Sequence, residues 1–397
     1  MDEIASILTR GVANIIPSKE LLEKELKSGK KLNIYLGIDP TAVNIHLGHA
    51  VVLRKLQSFA DLGHNVTFLV GDFTALIGDT SDKESERPQL THEQIQENLQ
   101  TYKSQAEKVL DFSKIQIKFN SEWLSELKFS DIVKLTQHFT LGDFISRELI
   151  KKRLGSGGKI GLHEVLYPVM QGYDSYHLNT DIQLGGTDQT FNMQAGRTLV
   201  KDFNNKESFV VTNVFLSGTD GRKMSKTWGN AIWLTDSHEQ MYGKIMSLRD
   251  DLIVEYFTLA TDTPIDEIHK IEEIIKSGEN PMSLKKQLAA KIVEMYHGHD
   301  KALEAEEGFV NVVQHKEIPK DIEEMQVSSN LPLSKFIIEK GLVESMSEWK
   351  RLVEQNGITV DEKKIDSPFV NTNDIANDSI LKIGKRKYVR IKKSENK

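Results

Sequence analysis

Residues Lys31–Phe59 read KLNIYLGIDPTAVNIHLGHAVVLRKLQSF, and the fold is decided in this stretch. The run Leu32–Ile38 is apolar and strand-like, and Asp39-Pro40 stops it. After a short polar turn, His46-Leu47-Gly48-His49 opens a helical pattern with apolar residues at Val51, Val52, Leu56 and Phe59. A strand, a turn and a helix start present unpaired backbone N–H groups to an anion. Two imidazoles and a glycine therefore stand where a phosphate could lie. The plainer reading, a βα turn that happens to hold two histidines, remains open at this point.

On either side the same alternation continues. Residues 4–27 place apolar positions at helical spacing, among them Leu21, Leu22 and Leu26, which predicts a packing helix before the first strand. NVTFLV (65–70) predicts a second strand and IQIKF (115–119) a third. Between them Thr91, with Gln94 three residues on, forms a capping box for a long helix. Strand and helix in alternation predict an α/β protein with a doubly wound parallel sheet, its ligands at the carboxyl ends of the strands. Residues 121–160 read as helices with a glycine-rich break at Gly155–Gly158. In the next helix Tyr167, Gln171 and Asp174 fall at i, i+4 and i+7, so one face carries a phenol, an amide and a carboxylate. A polar face of that kind, once buried, needs a ligand or an internal network. DIQL (181–184) followed by Gly185-Gly186-Thr187-Asp188-Gln189 is a second strand–glycine–helix junction, and a strand at 209–216 runs into GTDGRKMSKT (218–227). Two glycines and three cations in that segment make a mobile, phosphate-seeking loop.

Composition sets limits on what this architecture can do. With 397 residues, 39% hydrophobic and 27% charged, the chain is expected to form two or three domains. It has no cysteine, which excludes disulfides and thiolate metal sites. No apolar run approaches the ~18 residues that span a bilayer. The acidic N-terminus lacks a signal-peptide pattern, so the expected compartment is cytoplasmic. A net charge of −7 argues against a protein that coats nucleic acid nonspecifically. The C-terminal end is nonetheless basic: within Lys382–Lys397 the only acid is Glu395. Residues 236–315 read as charged helices, Gln314–Asn330 as a polar connection, and 331–397 as a small α/β unit.

HLGH (46–49), YPVMQGYD (167–174), GGTDQ (185–189) and GTDGRKMSKT (218–227), in that order, resemble the signatures of the class I aminoacyl-tRNA synthetases. The resemblance is closest to the bacterial tyrosyl branch and extends over the whole chain. LSKFIIEKGLVESMSEWKRLVEQNGITVD (333–361) is similar to the S4-like RNA-binding domain of that branch. The resemblance implies a Rossmann-like catalytic domain (1–230) with a helical insertion at about 121–165. It further implies a helical anticodon-side domain (231–318), a linker (319–330) and the S4-like domain (331–397).

The implied reaction joins L-tyrosine to ATP, giving tyrosyl-adenylate and pyrophosphate, and then passes the tyrosyl group to the terminal adenosine of tRNA(Tyr). By the resemblance Thr41, His46, His49, Lys83, Arg87, Lys223 and Lys226 serve the phosphates, with the two loop lysines on the leaving pyrophosphate. Gly48, Gly186 and Asp188 border the adenosine. Tyr35 and Asp174 take the substrate phenol, and Asp79, Tyr167 and Gln171 the α-ammonium. Asp39 and Gln189 lie along the carboxylate, and Gly37 keeps the floor clear. Mg²⁺ accompanies ATP without a dedicated protein cage, a homodimer is implied, and neither DNA nor a membrane is expected as a partner.

Overall fold

The apolar run after Lys31 is strand β2 (Asn33–Ile38), at the centre of a six-stranded sheet. The computed structural model describes residues 3–41, 43–79, 91–225, 228–311, 323–327, 331–384 and 387–393. The chain divides into two units, Met1–His299 and Asp300–Lys397. In the first, β1 (Val12–Ile16), β2, β3 (Asn65–Val70), β4 (Ile115–Phe119), β5 (Ile182–Gly186) and β6 (Phe209–Asn213) lie in the order β1-β6-β5-β2-β3-β4. All neighbours are parallel except β1, which runs antiparallel to β6. The doubly wound sheet expected from the sequence is therefore present. Its winding reverses between β5 and β2, and at such a point an open α/β sheet leaves a crevice.

β1 corrects the reading of residues 4–27 as helix. Only Glu3–Ile7 and Lys19–Leu26 are helical, and Val12–Ile16 between them is an edge strand paired with residues some two hundred positions later. The helix Leu47–Asp61 follows β2 and buries Leu47, Ala50, Val51, Leu53, Leu56, Phe59 and Ala60 on one stripe. The helix Leu162–His177 covers the other face of the sheet beside β2. Helices 121–124, 129–136, 141–145 and 148–155 occupy the insertion.

The helices that follow β6 pack with the sheet. Arg54, on the helix after β2, donates to the Ala260 carbonyl at 3.0 Å, and Arg10 donates to the carbonyls of Phe257, Thr258 and Thr261, so the helix Ile253–Ala260 has its C-terminus capped by two arginines from the N-terminal part of the chain. The first unit accordingly runs on to His299.

The second unit holds a five-stranded sheet in the order β7-β11-β10-β8-β9: β7 (Glu323–Val327), β8 (Ile358–Val360), β9 (Lys363–Lys364), β10 (Ser379–Ile383) and β11 (Lys387–Lys393). Helices 333–339 and 346–354 close over it, burying Leu333, Phe336, Ile337, Trp349 and Val353 against Leu381, Val389 and Ile391. β7 lies inside the span expected to be linker. It pairs in parallel with β11, which turns that part of the connection into an edge of the sheet.

Candidate active site

The residues at the carboxyl ends of β2, β3, β5 and β6 surround one cavity of about 290 Å³ in the first unit. Fourteen of the site residues expected from the sequence line it: Tyr35, Gly37, Asp39, His46, Gly48, His49, Asp79, Tyr167, Gln171, Asp174, Gly186, Asp188, Gln189 and Lys223. Thr41 lies just outside the lining, its N–H donating to the Asp39 carbonyl at 2.7 Å. Lys83, Arg87 and Lys226 fall outside the described residues.

One end of the cavity is built on buried carboxylates. Asp174 is 2% exposed and accepts from the Trp123 indole N–H at 2.7 Å and from Asn120 Nδ2 at 3.1 Å. Burial pushes its carboxyl up to about 8, against the pull of the two donors. Asn120 Nδ2 also donates to Thr74 Oγ1 at 3.0 Å, and Thr74 donates to Asp39 Oδ1 at 2.7 Å. The Tyr167 hydroxyl donates to the other oxygen, Asp39 Oδ2, at 2.9 Å. A continuous chain of hydrogen bonds thus joins Asp174 to Asp39. Tyr35, expected to face the substrate, has its hydroxyl 2.7 Å from Ser175 Oγ and 3.4 Å from Gln183 Oε1. Burial and then Asp174 raise its pKa, so it stays a neutral phenol with a lone pair to spare. Gln189 Nε2 donates to Asp79 Oδ2 at 2.7 Å and Gln189 Oε1 accepts from Asn192 at 3.0 Å, which fixes the amide's orientation.

The other end carries the histidines. His46 is the N-cap of helix Leu47–Asp61 and His49 its third residue. The His46 N–H donates to His49 Nδ1 and the His49 N–H to His46 Nδ1, both at 3.3 Å, and the rings stack at 3.7 Å. Because each Nδ1 accepts, each neutral ring carries its proton on Nε2. Burial, then the His49 and Lys223 charges, push His46 down to about 2; burial and Lys223 push His49 down to about 4. Gly48 sits between them, and a Cβ there would come within 3.0 Å of the His46 ring, so the glycine leaves space for the stacked pair as well as for a ligand. Lys223 reaches the cavity with its ammonium 5.1 Å from the Phe215 ring centre.

Sequence reading missed Asn120, Trp123, Thr74, Ser175 and Gln183. Asn120 and Trp123 immediately follow β4, the position at which a parallel sheet places ligand-facing groups, and that was the available signal. Ser175 and Gln183 gave none, because their role is to satisfy Tyr35.

An acidic, hydroxyl-lined end and a phosphate-seeking end meet in one cavity at the switch point of a parallel sheet. That arrangement is the one implied by the resemblance to the class I aminoacyl-tRNA synthetases. The family described as "tRNA synthetases class I (W and Y)" matches residues 27–314. The chain is 42% identical over 399 residues to tyrosine–tRNA ligase of Thermotoga maritima, covering 100% of this chain and 99% of the relative. It is 43% identical over 396 residues to that of Carboxydothermus hydrogenoformans, covering 97% and 96%. Among solved structures, a C-terminally truncated mitochondrial tyrosyl-tRNA synthetase of Aspergillus nidulans superposes with a TM-score of 0.66 at 23% identity, over 79% of this chain and 93% of that one. The enzyme of Archaeoglobus fulgidus complexed with L-tyrosine gives 0.61 at 21%, over 77% and 99%. The chain belongs to the tyrosyl-tRNA synthetase family: it is a tyrosine–tRNA ligase, with tyrosine, ATP and tRNA(Tyr) as substrates.

Proposed function

We propose that the two ends of this cavity divide the activation step between them, with the joined reactants meeting between Asp39 and His46. The observation that carries this is that groups suited to a phenol, an ammonium and a triphosphate line one cavity of about 290 Å³. At the buried end the substrate hydroxyl lies between Asp174 and the Tyr35 oxygen, which offer a donor and an acceptor whichever form Asp174 takes. Leaving such groups unpaired is what rejects phenylalanine; the tyrosyl enzyme is itself the standard example of this, at about 10⁵ without editing. Asp79, Tyr167 and Gln171 take the α-ammonium. Asp39 belongs with them: beside the substrate carboxylate it would repel, beside the ammonium it attracts.

The tyrosine carboxylate then attacks the α-phosphorus of ATP, and the bond to pyrophosphate breaks. Nucleophile and leaving group are both good, so catalysis rests on positioning and on donors aimed at the growing phosphate charge. His46 and His49 supply Nε2–H donors from neutral rings, together with Thr41 and the helix N-terminus. Lys223 supplies charge, joined by Lys226, Lys83 and Arg87. Gly48, Gly186 and Asp188 hold the adenosine, and Gln189 borders the carboxylate.

The phosphate end presents imidazoles and an ammonium, which are poor ligands for a hard cation that prefers oxygen. Mg²⁺ therefore enters as part of the nucleotide substrate, held by phosphate oxygens and water. Residues 331–397 bind RNA. Among the described residues of β10 and β11, Lys382, Lys387 and Lys393 are candidates for phosphate contact: Lys387 and Lys393 donate to backbone carbonyls, which leave their charge uncompensated, whereas Arg390 and Lys392 are ion-paired with Asp378. The helices at 231–318 face the anticodon side. Phe129 and Leu162 are each 81% exposed and Leu141 64%, an apolar surface concentrated in the insertion that a second copy would cover in a cytoplasmic homodimer.

Amino-acid-dependent exchange of pyrophosphate into ATP tests the division of labour. Lys223→Ala should slow exchange strongly and leave tyrosine affinity nearly unchanged, whereas Asp174→Ala should lose tyrosine affinity. The reverse pattern would sink the assignment.

A further inference from the structure

Asn230 is 2% exposed, and its whole side chain serves the loop 217–225. The stem of that loop is anchored at Ser217. Its N–H donates to Glu255 Oε1 at 2.6 Å, its hydroxyl to Glu255 Oε2 at 3.2 Å, and its carbonyl accepts from the buried Tyr256 hydroxyl at 2.7 Å. Ser217 pairs with Lys223 in a β-bridge, and Gly218 N–H donates to the Arg222 carbonyl at 2.7 Å. Asn230 then ties the two limbs together. Its Oδ1 accepts from the Ser225 N–H at 2.9 Å; its Nδ2 donates to Asp220 Oδ1 at 2.8 Å and to the Lys223 carbonyl at 3.2 Å. Its own carbonyl accepts from the Thr219 N–H at 3.0 Å.

These contacts use both amide protons and the amide oxygen. A carboxylate of the same shape cannot make them, because two of the three partners, Asp220 Oδ1 and the Lys223 carbonyl, are themselves acceptors. Asp220 is held ionised, well below the usual carboxylate range, by the Asn230 amide and then by Arg222. Gly218 is shaped to the same arrangement: a Cβ there would lie 2.3 Å from Asn230 Nδ2.

We propose that Asn230 is a positioning residue for adenylate formation, fixing the backbone of Lys223 so that its ammonium meets the phosphate end of the cavity beside His46 and His49. The proposal rests on the reading of Lys223 as a phosphate-binding group. Asn230 does not line the cavity. It acts through the lysine, whose long side chain amplifies any shift at its Cα, and a displacement of about 1 Å at a reacting centre can cost roughly 10²-fold.

The test uses the full-length enzyme with Asn230→Asp, Gly218→Ala, Lys223→Ala and the double variant Lys223→Ala/Asn230→Asp. Tyrosine-dependent pyrophosphate exchange gives kcat and the KM for ATP; tryptophan fluorescence gives tyrosine affinity without ATP. Asn230→Asp and Gly218→Ala, which dislodge the same amide by different routes, should each slow exchange by about 100-fold. Tyrosine affinity should stay within about twofold, and in the Lys223→Ala background Asn230→Asp should add less than about threefold, because both act through one group. Should Asn230→Asp fail to fold, Gly218→Ala carries the test. The proposal is overturned if Lys223→Ala slows exchange and the other two do not. It is overturned equally by tyrosine affinity falling in parallel, or by the full loss recurring in the Lys223→Ala background. Normal exchange by Lys223→Ala would instead remove the reading of the lysine, and is told apart because that variant alone decides it.

Discussion

His46 and His49 cap one another across the first turn of a helix, each backbone N–H donating to the other's Nδ1 at 3.3 Å while the rings stack at 3.7 Å. Serine or threonine with glutamate makes the usual version of this box. Using two imidazoles satisfies the same orphan N–H groups and leaves two Nε2–H donors directed elsewhere. In the proposed reading the cap and the phosphate site are thus one device, and protonating either ring would destroy its half of the cap.

Both imidazoles are pushed below their ordinary value in the folded chain, to about 2 and about 4. The unfolded chain therefore takes up these protons first as pH falls through about 6.5, and the stability they contribute above that pH is lost progressively below it. Nitrogen-15 NMR of labelled histidine should show both rings neutral and Nε2-protonated at about pH 6. An imidazolium signal from either ring at that pH would contradict the tautomer assignment. His46→Ala should also cost roughly 1 kcal/mol through the lost cap, read from the thermal midpoint.

Asp174 titrates in the opposite sense. Its carboxyl is raised to about 8, so the folded chain keeps a proton that the unfolded chain has released above about pH 4. Its contribution to stability is present below that value and is lost as pH rises through 8. Asp174→Asn should flatten this part of the pH–stability curve and lower the preference for tyrosine over phenylalanine. Trp123→Phe removes the 2.7 Å indole donor and should raise the KM for tyrosine by about three- to tenfold, the value of one hydrogen bond to a neutral group. An unchanged KM would mean that Asn120 alone orients the carboxyl.

Why the cavity's lining could be read from sequence, and its supports could not, follows from the same residues. Tyr167, Gln171 and Asp174 share a helix face by spacing, and Tyr35, Gly37 and Asp39 sit at a strand end, so local pattern placed them. Asn120 bridges Thr74 and Asp174, which lie 46 and 54 positions away, and no local pattern carries that information. β1 was hidden for the same reason: VANII becomes a strand only because β6 lies beside it. The histidine box was legible in principle, since H-x-x-H has the N-cap to N3 spacing, but imidazoles suggested a ligand before a cap.

The helix Leu162–His177, which carries Tyr167, Gln171 and Asp174 into the cavity, starts at a buried ion pair. Arg153 Nη1 lies 2.6 Å from Glu164 Oε2, with side chains 9% and 1% exposed, and Glu164 Oε1 accepts from the Gly161 N–H at 2.9 Å. Arg153→Ala would strip this guanidinium from the buried Glu164 carboxylate, and breaking a buried pair costs up to about 3–5 kcal/mol. The KM for tyrosine should rise with it, because Tyr167 lies one turn beyond Glu164. Arg153→Met combined with Glu164→Gln should recover most of the stability. If the double variant is no more stable than Arg153→Ala, the loss stems from packing of the arginine stem and not from the broken charge pair.

Where the chain is cut decides what a truncation means. The basic C-terminal unit invites deletion of 331–397, the span read from sequence as the S4-like domain. That cut would remove β11 and leave its parallel partner β7 (Glu323–Val327) with an unpaired edge, a template for aggregation. Ending the chain at residue 311 removes the whole sheet and spares the cavity, all of whose lining lies in the first unit. This shorter chain should catalyse tyrosine-dependent pyrophosphate exchange at close to the full-length rate. Its charging of tRNA(Tyr) should weaken through KM for tRNA, and lose most of its salt sensitivity, because the phosphate contacts that salt screens have gone. Charging with unchanged KM and salt dependence would mean that residues 331–397 do not bind the tRNA.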